Sequence, residues 1–495
     1  MSMGIDGTKN FPLPPFPLNS VPMGKLFCIL AAVLSVSAGT QAGETANIDV
    51  SAKRQQIEGW GASLCWWASE LGKWDEAIIN EVVDFVTSPD KLNMNLFRYN
   101  IGGGDDPTHI GGHMLSENGG KGKRAEMEGF KDGPNAPYDW SRDAGQRKVM
   151  LKIREARPDA IFEAFSNSPP YWMTHSGCAA GNFNGSDDNL KPEYYEAFCD
   201  YLIEVCRHYK DAYGLEFATL EPFNEPASPN VWSYKGSQEG CHFDADTQIK
   251  IIRLLHEKLK NSGLKTGISA SDETCVRFAI DTFKAYGDAG DILEKLAQFN
   301  VHTYDGSRAE KIELGGMAKA KNIRFWQSES GPLGMGGDPL KANLLQARRM
   351  IEDLIYMRPT AWLDWQVIDT SEAWSFFRGR FHPEPEYGGP NKNLYVRMQV
   401  TRFFKQGFYI VESGGDNCLA AVSPGGKTLA IAVVNTEDND VEFSLNGIPK
   451  SKKISAWRTS KEENCAEIKP PEAKGGTVNY TAPALSIATF VLELE

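Results

Sequence analysis

"EFATLEPFNEP" occupies residues 216–226. Its first half is a mixed apolar run that ends abruptly. Pro222 and Pro226 bracket Phe223-Asn224-Glu225, and prolines so placed stop a helix or a ladder from continuing. The stretch therefore reads as a strand that delivers Glu225 onto an irregular turn at its C-terminal end. Just upstream, residues 193–210 carry Tyr195, Phe198, Cys199, Leu202, Cys206 and Tyr209 at spacings of three, four and seven, the stripe of an amphipathic helix. Helix, strand and turn together make one unit of an alternating α/β chain.

That unit recurs. The strand candidates are "IEGWGASL" (57–64), "LNMNLFRYNI" (92–101), "AIFEAFSNS" (160–168), "EFATLEPFN" (216–224), "KTGISASD" (265–272), "QFNVHTYD" (298–305), "RFWQSESG" (324–331) and "TAWLDWQV" (360–367). Helical patterns lie between them, the second clear one over 340–357. Eight such units predict an α/β fold, a (β/α)8 TIM barrel over residues 57–405. A doubly wound open sheet shares the pattern, but no GxGxxG opens a helix after the first strand. "NIGGGDDP" (100–107) runs into polar loop, which excludes a dinucleotide site. From about residue 406 the period changes to short strands and turns, a C-terminal β-sandwich side domain over 406–495. The strand-like stretch 43–56 precedes the barrel and is expected to join that sandwich as an N-terminal strand.

Residues 1–42 are not part of the fold. A Pro-rich extension (1–22) is followed by Met23-Gly24-Lys25, an apolar core and small residues, the order of a secretory signal peptide cut after Ala38 or Ala42. The chain is thus expected to be secreted or periplasmic. No other stretch approaches the ~20 apolar residues of a membrane span. Net charge is −13 over 495 residues, with no long run of one sign, which argues against nucleic acid as a partner. With Cys28 inside the signal, eight cysteines remain, and none forms a CxxC. Cys178 and Cys241 are the expected disulfide pair, Cys199 and Cys206 are expected in the core, and no Cys/His cluster has metal-ligand spacing. No cofactor is implied, and the chain is expected to act as a monomer.

Catalytic side chains of a barrel sit at the C-terminal ends of its strands. Glu225 follows the fourth strand and Glu329, in "WQSESG", ends the seventh. Strands four and seven lie across the barrel from each other, so the two carboxylates can meet over the mouth. Such a pair suits cleavage of a glycosidic bond, with one carboxyl protonated to assist the leaving oxygen and the other ionised. A separation of about 5–5.5 Å implies a covalent intermediate and retention, and about 6.5–9.5 Å implies inversion. Arg98 ends strand two and is placed to pair with the ionised carboxylate. Asn224 can reach a sugar 2-hydroxyl. His302 and Tyr304 end strand six, where the phenol can hydrogen-bond the nucleophile. Trp60, Trp172, Trp362 and Trp365 are candidate rings for stacking on sugar, with Trp365 at the mouth and Trp362 in the core. The expected partner is a polysaccharide or oligosaccharide.

Five motifs in order, "GWGASLCWWA" (59–68), "SNSPPYWM" (166–173), "LEPFNEP" (220–226), "HTYD" (302–305) and "WQSESG" (326–331), resemble glycoside hydrolase family 30. The resemblance covers roughly residues 46–495. It implies a retaining hydrolase with Glu225 as general acid/base and Glu329 as nucleophile, and a side domain built from both ends of the chain. Family members act on glucosylceramide, β-1,6-glucan, glucuronoxylan or β-1,6-galactan. "GWGASLCWWA" is most similar to the endo-β-1,6-galactanase branch, so that activity is the expectation, with β-1,6-glucanase or glucuronoxylanase as the alternative. A uronate-binding enzyme should bring basic side chains from the loops after strands seven and eight. "GPLGMGGDP" (331–339) has none, whereas Arg378 and Arg380 keep the xylan option open. The insertion Gly102–Trp140 is expected to form one wall of the cleft. An exported glycan-binding protein without turnover is the alternative from another class, but such a protein would be free to lose one carboxylate, and this chain keeps both.

Overall fold

The structure is a computed structural model describing residues 43–104, 106, 127–234, 236, 238–381 and 384–495. The stretch read as a secretory signal and residues 107–126 of the insertion lie outside the described residues. Eight parallel strands close into a barrel: β1 (Gly59–Ser63), β2 (Leu96–Asn100), β3 (Ile161–Phe165), β4 (Thr219–Glu221), β5 (Gly267–Glu273), β6 (Gln298–His302), β7 (Arg324–Glu329) and β8 (Ala361–Asp364), with β8 closing onto β1. Seven fall within the stretches expected from sequence, and β5 runs one residue past its stretch, to Glu273. The connecting helices bury their apolar stripes on the outside of the barrel. In the helix Tyr195–Tyr213 these are Phe198, Cys199, Leu202, Cys206 and Tyr209, and Gly214 ends the helix in the left-handed conformation, as a residue without a Cβ readily can.

Strand alternation sorts the side chains. On β2, Phe97 and Tyr99 face outward: Phe97 packs on Phe162 of β3 at 5.9 Å and Tyr99 on Tyr209 at 4.9 Å. Arg98, between them, points into the barrel, where it meets Glu163 of β3, Asp272 of β5 and Glu329 of β7. The barrel interior near its mouth is thus filled by charges rather than by branched aliphatic side chains. At the opposite end the packing is tight: Gly61 of β1 lies beside Leu96 of β2, and a Cβ on it would sit 1.8 Å from the Leu96 carbonyl oxygen.

Two sheets lie beyond the barrel. The seven-stranded one runs, in spatial order, Ala466–Ile468, Ser451–Thr459, Ser486–Leu494, Thr428–Asn435, Cys418–Val422, Tyr409–Glu412 and Asp49–Gln56. The four-stranded one runs Glu44–Asn47, Val441–Asn446, Thr477–Ala482 and Ala473–Lys474. Their shared core contains Val411, Val433, Phe443, Leu445, Phe490 and Leu492. Residues 44–56 therefore form two strands, one added to each sheet, and tie the start of the described chain to its end. A small three-stranded sheet (Ile368–Asp369, Phe377–Arg380, Glu386–Pro390) follows β8 where sequence suggested only loop. The eight cysteines of the described residues are all free. Cys178 and Cys241 are separately buried, so the disulfide expected between them is corrected.

Gly61→Ala should destabilise the barrel by about 1–3 kcal/mol or more, because backbone rather than a movable side chain blocks the new methyl. Equilibrium denaturation compared with wild type checks this.

Candidate active site

Glu225 sits four residues beyond the last residue of β4, on the Pro-bracketed turn, with φ +50°. The turn is fixed from both sides. The Glu225 amide donates to the Asp272 carbonyl oxygen at 2.9 Å, and Trp232 Nε1 donates to the Glu225 carbonyl oxygen at 2.8 Å. Glu329 is the last residue of β7. Tyr304 Oη donates to Glu329 Oε1 at 2.8 Å, and Arg98 Nη1 donates to Glu329 Oε2 at 3.0 Å. Between the two carboxylates lies the ring of His302, with Nδ1 at 3.1 Å from Glu225 Oε1 and 3.5 Å from Glu329 Oε1. Donor atoms of Glu225, His302 and Glu329 all fall within 4.8 Å of one another.

Burial is the largest influence on Glu329 and raises its carboxyl above the usual range, while His302, Arg98 and the Tyr304 hydroxyl pull it back. On His302 burial works against charge, yet Glu329 and Asp272 outweigh it and hold the imidazole up at about 10. A ring held in its protonated form places a positive charge between the two carboxylates, an arrangement suited to proton and charge handling. Arg98 is fully buried, and its Nε lies 3.1 Å from Glu163. Asp272, Glu163 and Glu329 together hold its guanidinium further into the charged range. Glu221, the other glutamate of the opening motif, is buried inside the barrel, and burial pushes its carboxyl well up.

A cavity of about 360 Å³ opens over the pair, lined by Asn224, Tyr304, Trp365, Trp374, Trp232 and Val231 among others. Asn224 Oδ1 is buried without a hydrogen-bond partner among the described residues, so it is free to accept from a sugar hydroxyl. Trp365 faces this cavity, held edge-on by Trp66 at 5.0 Å. Trp362, three residues earlier, is buried with Arg397 over its ring and Asp353 accepting from its Nε1.

Two expected sugar-stacking rings are placed elsewhere. Trp60 is fully buried, and its indole donates to the Phe404 carbonyl oxygen at 2.7 Å. It is the second residue of β1, toward the end of the strand away from the mouth, which makes it a core residue. Trp172 follows β3 and is half-buried, donating to the Lys131 carbonyl oxygen at 2.7 Å and packing edge-on against Tyr194. It does not line the cavity over the two carboxylates. Sequence reasoning missed Asp272, Trp232 and Trp374. Asp272 carried a legible signal, an ionisable residue at the C-terminal end of the fifth strand. Trp232 and Trp374 lie in irregular loops with no period to mark them.

A closed eight-stranded barrel with paired carboxylates over its mouth defines the class: this is a glycoside hydrolase. The sequence profile described as O-glycosyl hydrolase family 30 matches residues 43–309. The chain is 32% identical over 416 residues to the endo-β-1,6-galactanase of Hypocrea rufa, covering 82% of this chain and 84% of that one. The chain belongs to O-glycosyl hydrolase family 30. Among solved structures it is similar to a conserved exported protein from Bacteroides fragilis (TM-score 0.75, 20% identity, 90% of this chain and 100% of that one). It is also similar to the family 30 subfamily 8 xylanase of Clostridium acetobutylicum (TM-score 0.68, 18% identity, 91% and 99%). At those identities the two structures speak for the fold alone.

Tyr304→Phe removes a hydrogen bond that favours the ionised form of Glu329. A bond to a charged group is worth about 1.5–3 kcal/mol, so kcat/KM should fall on the order of 10- to 100-fold. The acid limb of its pH profile should move to higher pH, because Glu329 then keeps its proton longer. Rate measurements from pH 4 to 8 check both.

Proposed function

We propose that the protein is an endo-β-1,6-galactanase that cleaves its substrate with net retention of configuration. The observation that carries the mechanism is the closeness of the two carboxylates, whose nearest donor atoms lie within 4.8 Å. Nearest oxygens within that distance favour the about 5–5.5 Å carboxyl separation of retaining enzymes over the about 6.5–9.5 Å that seats a water for inversion. Roles follow from the neighbours. Glu329 accepts from Arg98 and Tyr304, donors that stabilise a carboxylate, so it is the nucleophile. Glu225 receives neither and is the more exposed of the two, which suits exchange of a proton with the leaving group and with water.

In the first step Glu329 attacks the anomeric carbon, the glycosidic C–O bond breaks, and the departing oxygen takes the proton of Glu225. In the second, water gives its proton to Glu225 and its oxygen to the anomeric carbon, which releases Glu329 as a carboxylate. His302, carrying positive charge beside both, steadies them as the proton shuttles. Asn224 accepts from a sugar hydroxyl and Trp365 offers an apolar wall.

The substrate rests on the likeness to the Hypocrea rufa enzyme and on the motif at 59–68. The cavity adds support for a neutral sugar: among the described residues, no Arg or Lys lines it. Arg380 is paired with Glu386 at 2.9 Å and Arg378 lies 3.8 Å from Glu372, so neither reaches in to hold a uronate. This weighs against glucuronoxylan and leaves β-1,6-glucan as the second candidate. We read the protein as exported and monomeric. Export rests on the stretch at 23–42. No helix of the described residues is long and apolar enough to cross a membrane.

Product analysis on β-1,6-galactan, β-1,6-glucan and glucuronoxylan should show internal cleavage of the galactan only. Release from glucuronoxylan alone would overturn the substrate assignment. Glu225→Ala should lose on the order of 10²–10⁴-fold on the polysaccharide and far less on aryl glycosides, whose leaving groups need no proton. Equal losses on both would reject the acid/base role.

A further inference from the structure

Asp272 stands outside the reaction as just described, yet it touches every part of it. It is buried, lies at φ +57°, and forms part of β5 on the barrel wall between Glu225 and His302. Its carbonyl oxygen accepts from the Glu225 amide at 2.9 Å. Its carboxylate pairs with Arg98 Nη2 and accepts from Ser328 Oγ, the residue just before Glu329. Its Oδ1 also lies 3.5 Å from His302 Nε2, the face of the ring turned away from the two catalytic carboxylates. One residue thus holds the backbone of Glu225, the strand end of Glu329, and the two cations beside Glu329.

We propose that Asp272 is a positioning residue that fixes both catalytic carboxylates at once, acting through its main chain on Glu225 and through its carboxylate on His302 and Arg98. The inference rests on the assignment of Glu225 and Glu329 as acid/base and nucleophile. Its physical core is a charge relay across the barrel. Arg98 on β2 faces Glu163 on β3, Asp272 on β5 and Glu329 on β7. His302 on β6 faces Glu225 beyond β4, Asp272 on β5 and Glu329 on β7. Glu221 on β4 adds a further carboxyl near Asp272. Asp272 is the anion shared by both cations on the side away from substrate. Despite its burial, Arg98 and His302 hold its carboxyl below the usual range, so it stays charged. Without that charge the imidazole loses one of the anions that hold its proton, and the cation in the gap between Glu225 and Glu329 is held less firmly.

The backbone conformation makes the test clean. Asn and Gly both tolerate a left-handed φ, so Asp272→Asn and Asp272→Gly keep the carbonyl contact to Glu225 and remove only the carboxylate. On β-1,6-galactan, or whichever polysaccharide of the panel the wild type cleaves, Asp272→Asn should lower kcat at least 100-fold with KM within about threefold. The acid limb of kcat/KM should move up in pH, since a His302 deprived of this anion favours the carboxylate form of Glu329 less. Added formate should restore part of the rate of Asp272→Gly, and formamide should not. If either variant fails to fold, 15N-histidine spectra of the wild-type protein decide, with the His302 signal assigned by its absence in His302→Asn. The ring should stay protonated through pH 8. A kcat within threefold of wild type, a loss uniform across pH, or a His302 that titrates near its ordinary value in the wild type would each overturn the proposal. Failure of the catalytic assignment itself would look different: no turnover by the wild type on any member of the panel.

Discussion

Arg98 is the constraint on which the site depends. A guanidinium with no exposure to solvent, on the second strand of the barrel, has to be met by anions, and moving each unpaired charge from water into a protein costs several kcal/mol. The barrel meets it from three other strands, with Glu163, Asp272 and Glu329 around one cation. Strands two, three, five and seven are thereby drawn to a common centre at the level of the mouth. A purely aliphatic interior would pack as well, but it would not fix the angle of a carboxylate. Here the packing of the core and the aiming of Glu329 are the same interaction.

The charges of the site then set two chemically identical side chains in different environments. Glu329 is gripped by Arg98 and Tyr304 at short range. Glu225 is anchored by its backbone instead, through Asp272 and Trp232, which leaves its carboxyl with fewer fixed partners and closer to solvent. Two glutamates with different environments can serve as acid and as nucleophile at one pH. His302 lies between them as a shared cation, so a change of charge on one carboxylate is felt by the other.

Much of this was legible in the sequence, for identifiable reasons. The eight strands were legible because short apolar or mixed runs alternate with helical patterns, the clearest stripes lying over 193–210 and 340–357. Glu225 and Glu329 stood out because a charged residue just past a strand end is costly to place anywhere but at a mouth. The tryptophans divided less well. Trp60 looked like a binding residue because its motif is Gly- and Trp-rich, yet its position near the start of the strand puts it toward the wrong end of the barrel. Trp374 and Trp232 could not be found, because loops place side chains by contacts distant in sequence. The split of residues 44–56 into two strands on different sheets was also illegible: both partners lie some 350 residues or more away, Val411 opposite Lys53 and Phe443 opposite Glu44. Asp272 was visible as a charge at a strand end, but its importance comes from three tertiary contacts that no local pattern encodes.

The division of labour between the two glutamates can be read directly by trapping the intermediate. A 2-deoxy-2-fluoro-β-galactosyl fluoride slows the second step more than the first, so a sugar should accumulate on the protein. Peptide mass mapping after denaturation should place it on Glu329, within the segment that also contains Ser328 and Gly331. A sugar found on Glu225, or hydrolysis of the polysaccharide with inverted anomeric configuration and no adduct under any condition, would contradict the assignment of a buried, Arg98-held carboxylate as the nucleophile.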